Sequence, residues 1–248
     1  MAKNMTPEEL NAHLSEAISD LQNMLGFYGE SDQPELRSKA MKLGYWIKTY
    51  VKLIRREANF TPESLPAYKP RQIVNVDFGF RVGAELGGLH YAVVLDVNNS
   101  IRSPVLAVVP LGSLKASTKP SPYKVLLEKG VYELMGEKAA ALVLQAEQLV
   151  KIATPFETKA EDGLMFQARA MMASRAIKQA RDAIEEIKHM KLGTIANISQ
   201  VTTISKLRVV QPVSTADIFN NLRVTEEDMK NIRMAMIGHI IIRKNIDY

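Results

Sequence analysis

The sequence predicts an α+β protein: a small antiparallel sheet or barrel with helices before it, a helical insertion within it and a helix closing it. Three observations carry this reading. Apolar residues recur at helical spacing up to about residue 60. Short β-branched stretches bounded by Gly, Asn, Ser and Pro then follow one another without a helix between them. Antiparallel strands can be joined in that way, whereas a doubly wound parallel sheet needs a helix between strands.

The first helix is expected from Thr6 to Tyr28, with Thr6 as its cap, acidic residues in its first turn, and Leu10, Leu14, Ile18, Leu21 and Leu25 along one side. Residues 29–34 break it. A second helix runs from Glu35 to about Phe60 around Leu36, Leu43, Trp46, Ile47 and Ile54. Its polar positions are nearly all basic: Arg37, Lys39, Lys42, Lys48, Lys52, Arg55 and Arg56. That face is either an ordinary solvated surface or a track for RNA phosphates, with Tyr45, Trp46 and Tyr50 available to stack bases. Thr61-Pro62, Pro66 and Pro70 form a stiff linker.

Strands are expected at Gln72–Phe78, Tyr91–Val97 and Val105–Leu111, with a fourth at Tyr123–Leu127 after the turn-rich KASTKPSP. From Tyr132 to Leu192 the pattern returns to helix, although LVLQAEQLVKI also reads as a strand. Met165, Ala168, Met172, Ala176, Ala180, Ile184 and Ile187 mark the apolar side of the second inserted helix. After Gly193 strand-like sequence resumes as TIANISQVTTISKLRVV. A closing helix starts at Thr225, where Asp228 completes a variant capping box.

Composition excludes several chemistries. With 248 residues, 46% apolar and 24% charged, the chain is ordinary globular protein, and its net charge of +5 permits a polyanionic partner without demanding one. The absence of cysteine removes disulfides, thiolate metal sites and cysteine nucleophiles. The four histidines, His13, His90, His189 and His239, show none of the paired spacings of a zinc site, and no cofactor fingerprint or metal site is expected. His13 and His189 read as solvated, and His239 as a packing residue. No apolar run approaches the length of a membrane span and no hydrophobic leader opens the chain, so a cytoplasmic protein without membrane contact is expected.

The densest chemical signal is VDFGFRVGAELGGLHY, residues 76–91. Its glycines permit sharp turns or close approach to a ligand, and it holds a cation (Arg81), a carboxylate (Glu85) and an imidazole (His90). No helix and no Lys-Ser/Thr pair follows, so it is not a phosphate-cradling P-loop. From composition alone, a glycine-rich turn with solvated charges and a binding loop both remain open.

The run VDFGFRVGAELGGLHYAVVLDV, followed by VLAVVPLGS, resembles the PemK/MazF family of toxin endoribonucleases. NISQVTTISKLRV and the closing helix resemble that family's later strand and helix. The likeness covers about residues 71–131 and 193–242. It implies a MazF-like SH3-like barrel domain over 69–248, interrupted by a helical insertion at about 132–192 and preceded by a helical extension, 1–68.

The resemblance further implies metal-independent cleavage of single-stranded RNA by attack of the ribose 2′-hydroxyl, a homodimer, and an acidic antitoxin as protein partner. Glu85 matches the family's G-x-E carboxylate. His90 stands where the family has an arginine, and Gly112 where it has a threonine, with Ser113 the nearest hydroxyl. Glu85, His90 and Ser113 are thus the expected catalytic set. Arg81, Gly87, Gly88, Gly112 and Lys115 are the expected RNA-contacting positions. The two departures also leave room for a barrel that binds a topoisomerase-like protein or nucleic acid without cutting. The N-terminal helices are expected either to guard the RNA groove or to pack their apolar face on that of the insertion.

Overall fold

The computed structural model describes residues 5–152, 160–188 and 193–238, and the chain divides into two compact units, Met1–Asn59 and Phe60–Tyr248. The first unit is a helical pair, α1 (Pro7–Gly29) and α2 (Pro34–Glu57). Thr6 caps α1 as expected. Its hydroxyl accepts from the Glu9 amide at 3.2 Å, while the Glu9 carboxylate accepts from the Thr6 amide at 2.9 Å.

The second unit holds an antiparallel sheet: β1 (Ile73–Asp77), β2 (Leu89–Val94), β3 (Val105–Ser113), β4 (Lys124–Leu126), β5 (Thr194–Asn197), β6 (Thr202–Ser205) and β7 (Val209–Gln211). The strand order is β4-β5-β3-β2-β1-β7, with β6 also on β3. Two inserted helices, α3 (Val131–Ile152) and α4 (Ala160–Lys188), separate β4 from β5, and α5 (Glu226–Met236) closes the described chain. The ambiguous LVLQAEQLVKI segment is helical, the end of α3. The Asp228 capping box at Thr225 is formed.

Alternation divides the β1–β3 side chains between two cores. Ile73, Val93, Val109 and Leu111 face one core with Phe219, Met229 and Ile232. Val74, Val76, Ala92, Val94, Leu106 and Val108 face the other, which Tyr68, Phe78, Ile204 and Val209 complete. Strands covered on both faces lose the polar alternation of a half-exposed sheet, which is why they read as apolar runs in the sequence.

The insertion is rooted in the first core, through Val131, Leu134, Met135 and Ala139 of α3 and Ala183 of α4. The Val131 amide donates to Thr194 Oγ1 at 3.0 Å, and Lys138 Nζ donates to the Asn220 carbonyl. The expected α4 stripe holds in part: Ala176 and Ala180 are buried and Ile187 packs against the first core, while Met165, Met172 and Ile184 are exposed and Ala173 and Ala183 complete the buried side. Helices that meet through alanines approach closely, so the bulkier residues are left outside.

Candidate functional site

β2 and β3 build the site between them. His90 pairs with Val76 of β1, and its imidazole is within hydrogen-bonding influence of the backbone of Gly87 in the loop and of Leu111 on β3. Burial lowers its pKa below the ordinary 6.5, outweighing the hydrogen bonds with Gly87 and Leu111 that favour the cation. A neutral imidazole near pH 7 can accept a proton.

A cavity of about 560 Å³ opens beside it, lined by His90, Gly112, Ser113 and Lys115 from the expected set. Gly112 and Ser113 are held by ladder pairs to Ile195 and Thr194 of β5. Lys115 begins a turn in which its amide donates to Thr118 Oγ1 at 3.0 Å. The same cavity takes in residues that the sequence reading did not single out: Lys124 on β4, its ladder partner Asn197 on β5, Asn75, Tyr91, Thr118, and Tyr132 from the first turn of α3. Alternation could have brought Asn75 forward, because it is polar at an inward position of an apolar strand. Tyr91 stacks on Phe219 at 5.3 Å, and burial pushes its phenol up to about 12. Among the described residues that line this cavity, none is a carboxylate.

Arg81 and Glu85 lie elsewhere. They face each other at 3.8 Å and line a second cavity of about 220 Å³ with Ser199, Gln200 and Thr202. Leu86 borders both cavities. The glycines shape the loop between them. The Phe78 amide donates to Gly88 at 2.8 Å, and the Gly88 amide donates to Gly79 at 2.7 Å, a closure that uses φ +85° at Gly88. A Cβ on Gly87 would stand 2.6 Å from the Gly79 carbonyl oxygen. Gly87 and Gly88 therefore turn the chain and line neither cavity.

Gly112 has a different reason. A Cβ there would lie 3.1 Å from Asn197 Nδ2, so the amide occupies space that a larger residue at 112 would claim. His189 and His239 lie outside the described residues. Among the described residues, no three His, Asp or Glu side chains come together as a metal-binding group, and no helix is long and apolar enough to cross a membrane. Neither protein-family models nor curated proteins give a match to this chain.

Proposed function

We propose that this chain is a toxin-like, metal-independent endoribonuclease acting on single-stranded RNA, with a PemK/MazF-type barrel as its β domain. One observation carries the reading. A single cavity gathers a buried-shifted histidine (His90), a hydroxyl (Ser113) and two lysines (Lys115 and Lys124), with no carboxylate among its described lining residues. Such a lining attracts a phosphodiester and keeps a proton acceptor beside it. The barrel assignment is supported by β3, which is paired to β6 over Val105–Val108 and to β5 over Leu111–Ser113, as a strand shared between two sheet segments is.

In this reading Lys115 and Lys124 hold the phosphates flanking the scissile bond. His90 takes the proton of the 2′-hydroxyl as its oxygen attacks phosphorus. The P–O5′ bond breaks, and the departing 5′-oxygen takes up, by way of solvent, the proton that His90 accepted, so that it leaves as a hydroxyl and the imidazole is again neutral. The products are a 2′,3′-cyclic phosphate and a 5′-hydroxyl end. Ser113 Oγ donates to the charged phosphorane, and general base catalysis of this kind contributes roughly 10²–10⁴-fold. Glu85, paired to Arg81 in the adjacent cavity, lies in the loop that leads into β2 and His90. An acidic antitoxin segment would compete with RNA for the same lysines, and the family pattern adds a homodimer.

A second reading is favoured by the same Arg81–Glu85 pair: with its one family-matched carboxylate engaged outside the His90 cavity, the barrel binds RNA or a topoisomerase-like protein without cutting. Incubating the purified chain with mixed RNA in excess chelator separates the two. Defined fragments with 5′-hydroxyl ends, abolished by His90→Ala with RNA binding retained, support the nuclease. Intact but bound RNA supports the binder.

A further inference from the structure

The cavity beside His90 offers more than a phosphodiester needs. Its volume of about 560 Å³ is that of a site enclosing a small organic ligand. Lys115 and Lys124 bring charge to it, while Leu86, Leu89, Leu111 and Ile195 give it apolar lining. The charge accounts for a phosphate. The apolar surface is left over, and the flat base of a nucleotide is the part that fills it.

Among the described residues two tyrosines line this cavity, and they differ in what they have left to offer. Tyr91 is half-buried and already stacked on Phe219, with its phenol pushed up to about 12 by burial. Tyr132 is 36% exposed. Among the described residues its ring meets no other ring and its phenol makes no hydrogen bond.

The backbone under Tyr132 is fixed on both sides. It is the second residue of α3, the first of the two inserted helices. The Gly130 amide donates to the Glu133 carboxylate at 2.6 Å, the Val131 amide to Thr194 Oγ1 at 3.0 Å, and the Leu134 amide to the Gly130 carbonyl at 3.1 Å. Val131, Leu134 and Met135 are buried in the first core. A tyrosine has only two side-chain torsions, so on such a root it loses little entropy when a ligand stacks on it. Lys124 stands close by in the chain: β4 ends at Leu126 and α3 begins at Val131. A cation and an available ring in one cavity are how single strands are held, the charge on the backbone and the ring on the face of a base.

We propose that Tyr132 is the base-stacking platform of this cavity, so that the insertion supplies a substrate contact. The base beside the phosphate held by Lys115 and Lys124 lies on its ring. Every base has a π-face, so the contact adds affinity without choosing a sequence. That the strand is RNA rests on the function proposed above; the stacking is independent of whether the strand is cut.

Binding by the full-length parent, Tyr132→Phe and Tyr132→Leu tests this. The probe is a short labelled 2′-fluoro RNA, which lacks the attacking hydroxyl and cannot be cut, followed by fluorescence anisotropy. Tyr132→Phe is expected to bind as the parent does. Tyr132→Leu is expected to bind ~5-fold or more weakly, with the salt dependence unchanged because no cation is lost. Strands with one base removed, position by position, locate the contact: at one position the parent weakens ~5-fold or more, and Tyr132→Leu binds that strand as the parent does. Parental affinity in Tyr132→Leu, a loss that is the same on every abasic strand, or a parent that does not bind the strand overturns the inference. Ordinary RNA left uncut with the Tyr132 effect retained removes the nuclease and keeps the platform. RNA cut with no Tyr132 effect does the reverse.

Discussion

Gln200 Oε1 accepts a hydrogen bond from the Leu86 amide at 3.1 Å, and its Nε2 donates to the Ala84 carbonyl at 3.4 Å. One side chain from the turn between β5 and β6 thus holds both sides of the peptide stretch beside Glu85. The loop that leads into His90 takes its shape from a residue more than a hundred positions later in the chain.

Removing that clamp should loosen the loop more than the fold. Gln200→Ala loses two partners for backbone groups, at a net cost of about 1–2 kcal/mol. Chemical denaturation should show that loss, with hydrogen exchange accelerated at Ala84–Leu86 and unchanged in the β1–β2 ladder. Parental protection of those amides would show that the loop holds itself.

Gly87 should not tolerate even a methyl group. The Cβ of Gly87→Ala would sit 2.6 Å from the Gly79 carbonyl and 3.2 Å from the Arg81 amide nitrogen. Both neighbours are backbone, so relief requires the turn to shift, at about 1–3 kcal/mol. A thermal melt reads the change, and Gly83→Ala, whose Cβ meets nothing within 4 Å, is the companion that isolates backbone strain at φ +61° from crowding.

His90 should make stability depend on pH. Its folded pKa is lowered, chiefly by burial, below the 6.5 it has when free. Below 6.5 the unfolded chain therefore binds the proton first. The histidine's contribution is complete above about pH 6.5 and declines as pH falls towards the folded pKa. Denaturant midpoints between pH 7 and pH 5 should fall less in His90→Asn than in the parent. The imidazole resonance should titrate below 6.5 by NMR; a midpoint above that value contradicts the burial effect. If His90 is the base, cleavage should rise with pH through the same lowered pKa and then level off.

Lys115 and Lys124 should act on affinity and salt dependence together. Replacing either with Gln removes about one phosphate contact, which lowers the log–log salt slope for a single strand by about 0.7. Fluorescence titration with a short oligonucleotide at several salt concentrations checks this. An unchanged slope in both variants takes the phosphates away from this cavity.

The helices were legible because their signals are local: Thr6 with Glu9 and Thr225 with Asp228 announce caps within four residues. The β1–β3 strands were legible because burial on both faces makes them largely apolar, with Asn75 a polar exception. The site was only half legible. His90, Ser113 and Lys115 follow one another along β2, β3 and the next turn, but Lys124, Asn197 and Tyr132 enter the cavity through pairings that no local pattern encodes. The separation of Glu85 from His90 was equally hidden, since five residues of sequence say nothing about which side of Leu86 each will face. The insertion misled for another reason. Of the expected stripe Ala176, Ala180 and Ile187 do pack, but Met165, Met172 and Ile184 do not, because close helix contact selects alanines such as Ala173 and Ala183 in their place.

Ser113 and Gly112 are paired with Thr194 and Ile195, strands that lie about eighty residues apart in the chain. During synthesis, then, the edge of β3 that carries them has no neighbour until both inserted helices have emerged. At ribosomal speeds of about 5–20 residues per second, that delay is several seconds. Helices α3 and α4 form from local contacts and fold back on each other, which draws the distant ends together and shortens the search for β5. The insertion thereby sets a clock on assembly: β1, β2 and β3 can meet early, but Thr194, Ile195 and Asn197, which line the cavity with His90, are added only after both inserted helices have been made.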